Sequence, residues 1–123
     1  MDKQETGKKG ESIAKDFLIK KGYNILDKNY LKRQGEIDII AFDPEFKEIV
    51  FVEVKTRKNS NFGYPEEFVT ESKIEKIETT ANIWLEENNK IDDFWRIDII
   101  AIELSGKNPK IEHLKNITQG FEE

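Results

Sequence analysis

Two short apolar runs, GEIDIIA at 35–41 and FVEVKTR at 51–57, carry acids where a buried strand should be hydrophobic. They constrain the fold more than any other part of the chain. Strand side chains alternate with period two, so Glu53 and Lys55 share one face while Val52 and Val54 take the other. DPEFKE, between the runs, has turn composition, and the pair reads as a β-hairpin. A loop over 44–47 sets Asp43 against Glu48. Counting back puts Asp38 opposite Glu53, and Glu36 opposite Lys55. Directly opposed residues have Cβ atoms roughly 4.5–5.5 Å apart, and like charges placed that way are destabilising. Acids and a lysine kept there are expected to be used. Ile40, Phe42 and Phe51 fall on the same face in this register, so that face is expected to be largely covered.

Ahead of the hairpin, the spacing of Ile13, Ala14, Phe17 and Leu18 predicts a helix from about Gln4 to Lys21, stopped by Gly22. Glu11 sits at the edge of that stripe, in line with Ala14 and Leu18, and leans toward whatever the helix covers. Residues 23–32 read as a first strand, separated at Gln34-Gly35 from the strand of Asp38. The strand of Glu53 covers 48–56, and KNSNFGYP at 58–65 is a loop by composition. A second helix is expected over 72–88, with Ser72 and Glu75 as a capping box and Ile74, Ile77, Ala81 and Trp84 as its apolar stripe. FWRIDIIAIEL at 94–104 reads as a buried strand and IEHLKNI at 111–117 as a shorter edge strand. The order αβββαββ defines an α/β core of two or three layers, and no repeat or linker divides 1–123.

A net charge of −5 argues mildly against a nucleic-acid partner, but its distribution argues the other way. Residues 1–33 hold nine Lys or Arg against five Asp or Glu, and phosphate contact depends on the local patch rather than the total. Lys8, Lys9 and Lys15 on the first helix are the candidate contacts; the bland alternative is a solvated helix face. The chain has no cysteine, which excludes disulfides, thiolate metal sites and a cysteine nucleophile. MDKQETGKKGE has no apolar core of the signal-peptide kind. Apolar stretches reach only about five residues, against roughly 20 needed to span a bilayer. The expectation is a soluble, cytoplasmic protein with no membrane partner.

Asp38 and Glu53 side by side can hold one divalent cation, since Mg2+ is bound through one or two carboxylates plus waters and phosphate oxygens. Glu11, entering from the helix, would complete the coordination. Lys55 would orient or deprotonate a water there and offset developing negative charge. That set suits metal-assisted hydrolysis of a phosphodiester. The alternative is a salt-bridge ladder of Glu36, Glu53 and Lys55 on a solvated face, and alternation does not separate the two.

These residues also carry a resemblance. GEIDIIA and FVEVKTR, with an acid-bearing helix before them, resemble the PD-(D/E)xK nuclease superfamily, although Glu36-Ile37-Asp38 stands where the proline-aspartate half would be. Over nearly the whole chain the sequence looks like the YraN-type family of uncharacterised small bacterial proteins. The matching pieces are GxxGE at 7–11, GY at 22–23, NY at 29–30, the two hairpin runs, FGYP at 62–65, Lys73, Ala81 and RIDIIAIE at 96–103. The resemblance implies a restriction endonuclease-like core, similar to archaeal-type Holliday junction resolvases, with a mixed central sheet flanked by helices. It assigns metal and catalytic roles to Glu11, Asp38, Glu53 and Lys55, with Mg2+ or Mn2+ as cofactor.

Thr56, Arg57 and Lys73 are further candidates for phosphate contact, with surface positions as the plain reading of the first two. Phe62 and Tyr64 either stack on bases or lid the core. Arg96 and Asp98 are expected to form a structural ion pair at a strand end. His113, alone and without cysteine partners, is a poor metal ligand, and Trp84 and Trp95 belong to the core. Three functions compete: an endonuclease acting on DNA, branched DNA included; a catalytically silent nucleic-acid-binding module; and an interaction domain whose acidic part binds a basic protein. Retention of three acids with Lys55 favours the first. Paired cuts by so small an enzyme would call for a homodimer.

Overall fold

The computed structural model describes residues 2–59 and 69–117. Within them the elements follow the order αβββαββ: α1 (Lys3–Lys20), β1 (Asn24–Lys32), β2 (Gly35–Asp43), β3 (Glu48–Arg57), α2 (Glu71–Glu87), β4 (Trp95–Glu103) and β5 (Lys110–Leu114). The five strands form one mixed sheet in the order β1-β2-β3-β4-β5. β1, β2 and β3 are an antiparallel meander, β4 runs parallel to β3 after the α2 crossover, and β5 returns antiparallel. This mixed sheet between two helices is the arrangement expected of a restriction endonuclease-like core.

Local chemistry explains the helix ends. Asp2 caps α1 by accepting the Glu5 amide at 2.8 Å, and Gly22 takes φ +94 just past the last turn. The cap of the second helix lies two residues earlier than the capping-box reading. Thr70, not Ser72, is the cap, its hydroxyl accepting the Lys73 amide at 3.2 Å.

The sheet is covered on both faces. Ala14 and Leu18 of α1 pack with Ile39, Ala41, Val50, Val52 and Ile100. On the opposite face Ile74, Ile77, Trp84 and Leu85 of α2 pack with Ile37, Ile40, Phe51 and Ile97. Phe51 and Leu85 are both fully buried, and truncating a core side chain of that size to alanine costs about 3–5 kcal/mol. β4 is buried along nearly its whole length, as expected of a strand covered on both faces.

One break in alternation positions the site. Ile39 faces α1, and strict alternation would send Ile37 there too, yet Ile37 and Ile40 both pack on the α2 side. The alternation resets at Asp38. Opposite it on β1, Asn29 has φ +47, and the ladder passes from Lys28↔Ile39 to Tyr30↔Ile37 without pairing Asn29 to Asp38. The reset turns Asp38 toward α1. This corrects the expectation that Asp38 shares a covered face with Ile40, Phe42 and Phe51; those three do pack on the α2 side.

Candidate metal centre

Between β2 and β3 the ladder runs in the expected register, from Asp43↔Glu48 to Ile39↔Val52, and stops there. Past that point Asp38 replaces a ladder bond with its side chain: Oδ2 accepts the Val54 amide at 2.8 Å. Glu36 and Lys55 therefore do not face each other across a ladder. Glu36 instead joins Glu11 and Asp38 in a group that brings one carboxylate oxygen from each within 4.8 Å of the others. The helix brings Glu11 in because Gly10 lets it sit close on β3; a Cβ there would lie 1.7 Å from the Thr56 hydroxyl. Asn29 then orients Glu11, donating from Nδ2 to Oε1 at 2.9 Å.

No Lys or Arg among the described residues lies within ion-pairing distance of Glu11, Glu36 or Asp38. The electrostatic consequence falls on Asp38. Desolvation, reinforced by the charges of Glu11, Glu53 and Glu36 and opposed by the Val54 amide, pushes its carboxyl up to about 7. A close set of hard oxygen donors of this kind could hold a metal ion.

The remaining candidates are placed as follows. Glu53 lies outside the group of three acids and pairs with Lys73 of α2 at 3.5 Å. Lys55 is half-buried beside them; desolvation, then the neighbouring Lys73 and Lys3 charges, pull its ammonium below the usual lysine range against the pull of Glu53. Lys8 and Lys15 line a cleft with Glu11 and Asp38, while Lys9 is exposed. Thr56 is packed beneath Gly10, and Arg57 pairs with Glu103 at 3.6 Å. Phe62 and Tyr64 lie outside the described residues. Sequence reasoning missed Glu36 as a member of the acidic group and Asn29 as its orienter. The available signal was an Asn in a strand directly across from the acid, since Asn tolerates positive φ better than most residues.

A second ionic cluster occupies the other end of the same sheet. Arg96, 5% exposed, reaches Asp98 at 3.0 Å, Asp43 at 3.0 Å, Glu48 at 2.8 Å and the Tyr23 hydroxyl at 3.0 Å. Asp98, fully buried, also accepts the Asn116 amide at 2.9 Å and lies 2.7 Å from His113 Nε2. The pair expected at a strand end is thus the centre of a buried network. Desolvation works against the Asp43 and Asp98 carboxylates, but Arg96 and the surrounding donors outweigh it and hold both below the usual range.

Taken together, fold and acids define an α/β protein whose helix α1 brings Glu11 to Glu36 and Asp38 in the N-terminal half of β2. A family model described as Uncharacterised protein family UPF0102 matches residues 10–102. The UPF0102 protein of Geobacter metallireducens is 46% identical over 110 residues, covering 89% of this chain and 88% of its own. That of Vibrio parahaemolyticus is 45% identical over 109 residues, covering 86% and 87%. That of Renibacterium salmoninarum is 39% identical over 116 residues, covering 94% and 97%. The chain belongs to the UPF0102 family, as the resemblance to uncharacterised bacterial proteins led us to expect. No helix among the described residues is long and apolar enough to cross a membrane.

Proposed function

We propose that this chain is a metal-dependent endonuclease that hydrolyses phosphodiester bonds in DNA, branched or junction DNA included. The observation that carries the reading is the group of Glu11, Glu36 and Asp38, which bring one carboxylate oxygen each within 4.8 Å of the others and form no ion pair with a Lys or Arg among the described residues. The likeness of the two hairpin runs to the PD-(D/E)xK superfamily supports it. Mg2+ or Mn2+ would be held by Glu11, Asp38 and Glu36, with Glu53 reaching the same ion once it leaves Lys73. Such a cation polarises a phosphoryl oxygen and acidifies water.

The chain's own groups do the rest. The Val54 amide fixes Asp38, and Asn29 fixes Glu11, so the donors keep their geometry without the ion. Lys55 is already biased toward losing its proton by burial and by Lys73, which suits a group that takes a proton from the attacking water. Lys73, paired with Glu53 at 3.5 Å, would meet the phosphate when Glu53 turns away.

One observation favours the second reading, a silent nucleic-acid-binding module: Glu53 is engaged by Lys73 instead of joining the other acids. A single experiment separates the two. Purified protein is incubated with Mg2+ or Mn2+ and a panel of single-stranded, duplex, flapped and four-way DNA. Lys55→Ala and Glu53→Gln should each lower cleavage about 10²–10⁴-fold without changing the melting temperature in EDTA. Cleavage surviving both substitutions removes these residues from the chemistry, and an inactive wild type that still binds DNA selects the silent module.

A further inference from the structure

Two clefts meet at Glu11. The larger, about 690 Å³, opens between the first turns of α1 and the end of β3, where Lys3, Lys55 and Lys58 line it. The smaller, about 250 Å³, lies between α1 and the β1–β2 edge, with Lys8, Lys15 and Lys28 around Asp38. Among the described residues Glu11 is the one shared by both linings. Cations thus flank the acids on two sides. Lys8, Lys15 and Lys28 make no ion pair with any carboxylate among the described residues, although Glu11 and Asp38 line the same cleft.

A small phosphate ester would need cations on one side only. A polymer with a charge on every unit meets both sides at once, because its backbone continues past the reacting phosphate. Charge repeated along a backbone is the property of a nucleic-acid strand, and lysines neutralising its phosphates supply sequence-independent affinity. Asn29 and Ser12 at the smaller cleft add neutral hydrogen-bonding groups of the kind that hold phosphate and sugar oxygens.

We infer that one nucleic-acid strand lies across both clefts, its backbone held by Lys3 and Lys58 on one side of Glu11 and by Lys8, Lys15 and Lys28 on the other. The bond above the acids then has nucleotides on both sides, so cutting needs no free end. The cut rests on the nuclease reading; the path of the strand does not.

Binding and cutting are therefore measured apart. Binding of a labelled oligodeoxynucleotide, and of the matching oligoribonucleotide, is titrated in EDTA at several salt concentrations. Lys28→Ala in one cleft and Lys3→Ala in the other should each weaken binding about three- to tenfold and reduce the salt slope by about one. Lys47→Ala, in the distant turn between β2 and β3, is the charge-matched control and should leave both quantities unchanged. If either cleft variant binds like wild type, the strand does not pass that side and the inference fails. A DNA result without an RNA result, or the reverse, identifies which strand uses the path. For the cut, covalently closed single-stranded circles and their linear form are compared in Mn2+. Equal cleavage is expected, and digestion of the linear form alone, from its ends, overturns the two-sided path. A wild type that cuts nothing but keeps both lysine effects removes the nuclease reading and leaves the path standing.

Discussion

The sheet carries the tetrapeptide Ile-Asp-Ile-Ile twice, at 37–40 on β2 and at 97–100 on β4. The preceding residue is Glu36 in the first and Arg96 in the second. Each of these reaches the aspartate of its own repeat: Arg96 Nε lies 3.0 Å from Asp98, and Glu36 stands with Asp38 and Glu11 within 4.8 Å. Desolvation acts on both aspartates. Asp98 is nevertheless held below the usual carboxylate range, whereas Asp38 is pushed up to about 7. At Asp98 burial is outweighed by the bonds from His113, Arg96 and the Asn116 amide, whereas at Asp38 burial, with smaller pushes from Glu11, Glu53 and Glu36, outweighs the Val54 amide. Buried acids are ordinary when a cation of the chain matches them. The unmatched set is the one that points to a ligand.

The largest effect should come from breaking the matched end. Arg96→Met keeps the length and bulk of the side chain but leaves Asp98 and Asp43 buried without their guanidinium. Removing one partner of a buried ionic group costs about 3–5 kcal/mol, because the remaining charge stays desolvated. Urea unfolding at neutral pH measures it. A loss below about 1 kcal/mol means that His113 and Asn116 suffice to hold Asp98, and the contrast between the two repeats weakens.

Next in size is the pH dependence, which the two ends give opposite signs. In the folded protein Asp38 keeps its proton up to about pH 7, whereas an unfolded aspartate loses it near 4. Between those values the folded state binds more protons, so this contribution falls as pH rises and is gone above about 7. Asp43 and Asp98 ionise below the usual range when folded, so their contribution is complete above about pH 4 and is lost as pH drops below it. Glu36→Arg copies the β4 arrangement onto β2. In EDTA it should lessen the decline between pH 4 and 7 only in part, because the burial that raises Asp38 most remains, and raise stability at pH 7 by less than about 1 kcal/mol. It should also abolish stabilisation by Mn2+, because an internal cation now stands in its place. A variant that is less stable than wild type at pH 7 would show that Glu36 is placed by its own contacts and not merely tolerated.

How much of this was legible in the sequence follows from the range of the forces involved. The β2–β3 register was readable from Asp43 and Glu48 because a short turn and period-two packing act locally, and it holds as far as Ile39↔Val52. The element order followed from the same alternation and from helix stripes such as Ile74, Ile77, Ala81 and Trp84, which are buried as a set. The turn of Asp38 toward α1 was not readable, because it depends on Asn29 across the β1–β2 ladder, and on a backbone conformation that asparagine permits without requiring. Glu53 was expected to join the acids on strand geometry alone; its partner Lys73 arrives from α2, a separate element. The Arg96 network was foreseen only as a pair, since Asp43, Tyr23 and His113 converge on it from three different elements or turns. Identities of the acids were in the sequence; their pairing was tertiary.

The smallest effect tests what keeps the unmatched acids in place. Asn29 has φ +47 and donates to Glu11 at 2.9 Å, so it combines a backbone role with an orienting one. Glycine adopts that φ without strain, so Asn29→Gly removes the hydrogen bond and keeps the turn, whereas Asn29→Ala removes the bond and adds about 1–2 kcal/mol of left-handed strain. The bond is exposed and contributes less than about 1 kcal/mol, so the glycine variant should melt close to wild type in EDTA while the alanine variant melts lower. Outer partners of metal ligands, by contrast, typically change metal affinity about 10–100-fold. Both variants should therefore bind Mn2+ at least about tenfold more weakly, read as the concentration at which Mn2+ raises the melting temperature. Weak binding in the alanine variant alone assigns Asn29 to the backbone only. Weak binding in both makes it the counterpart, at the unmatched end, of what Asn116 does for Asp98: a neutral donor that fixes an acid's direction without cancelling its charge.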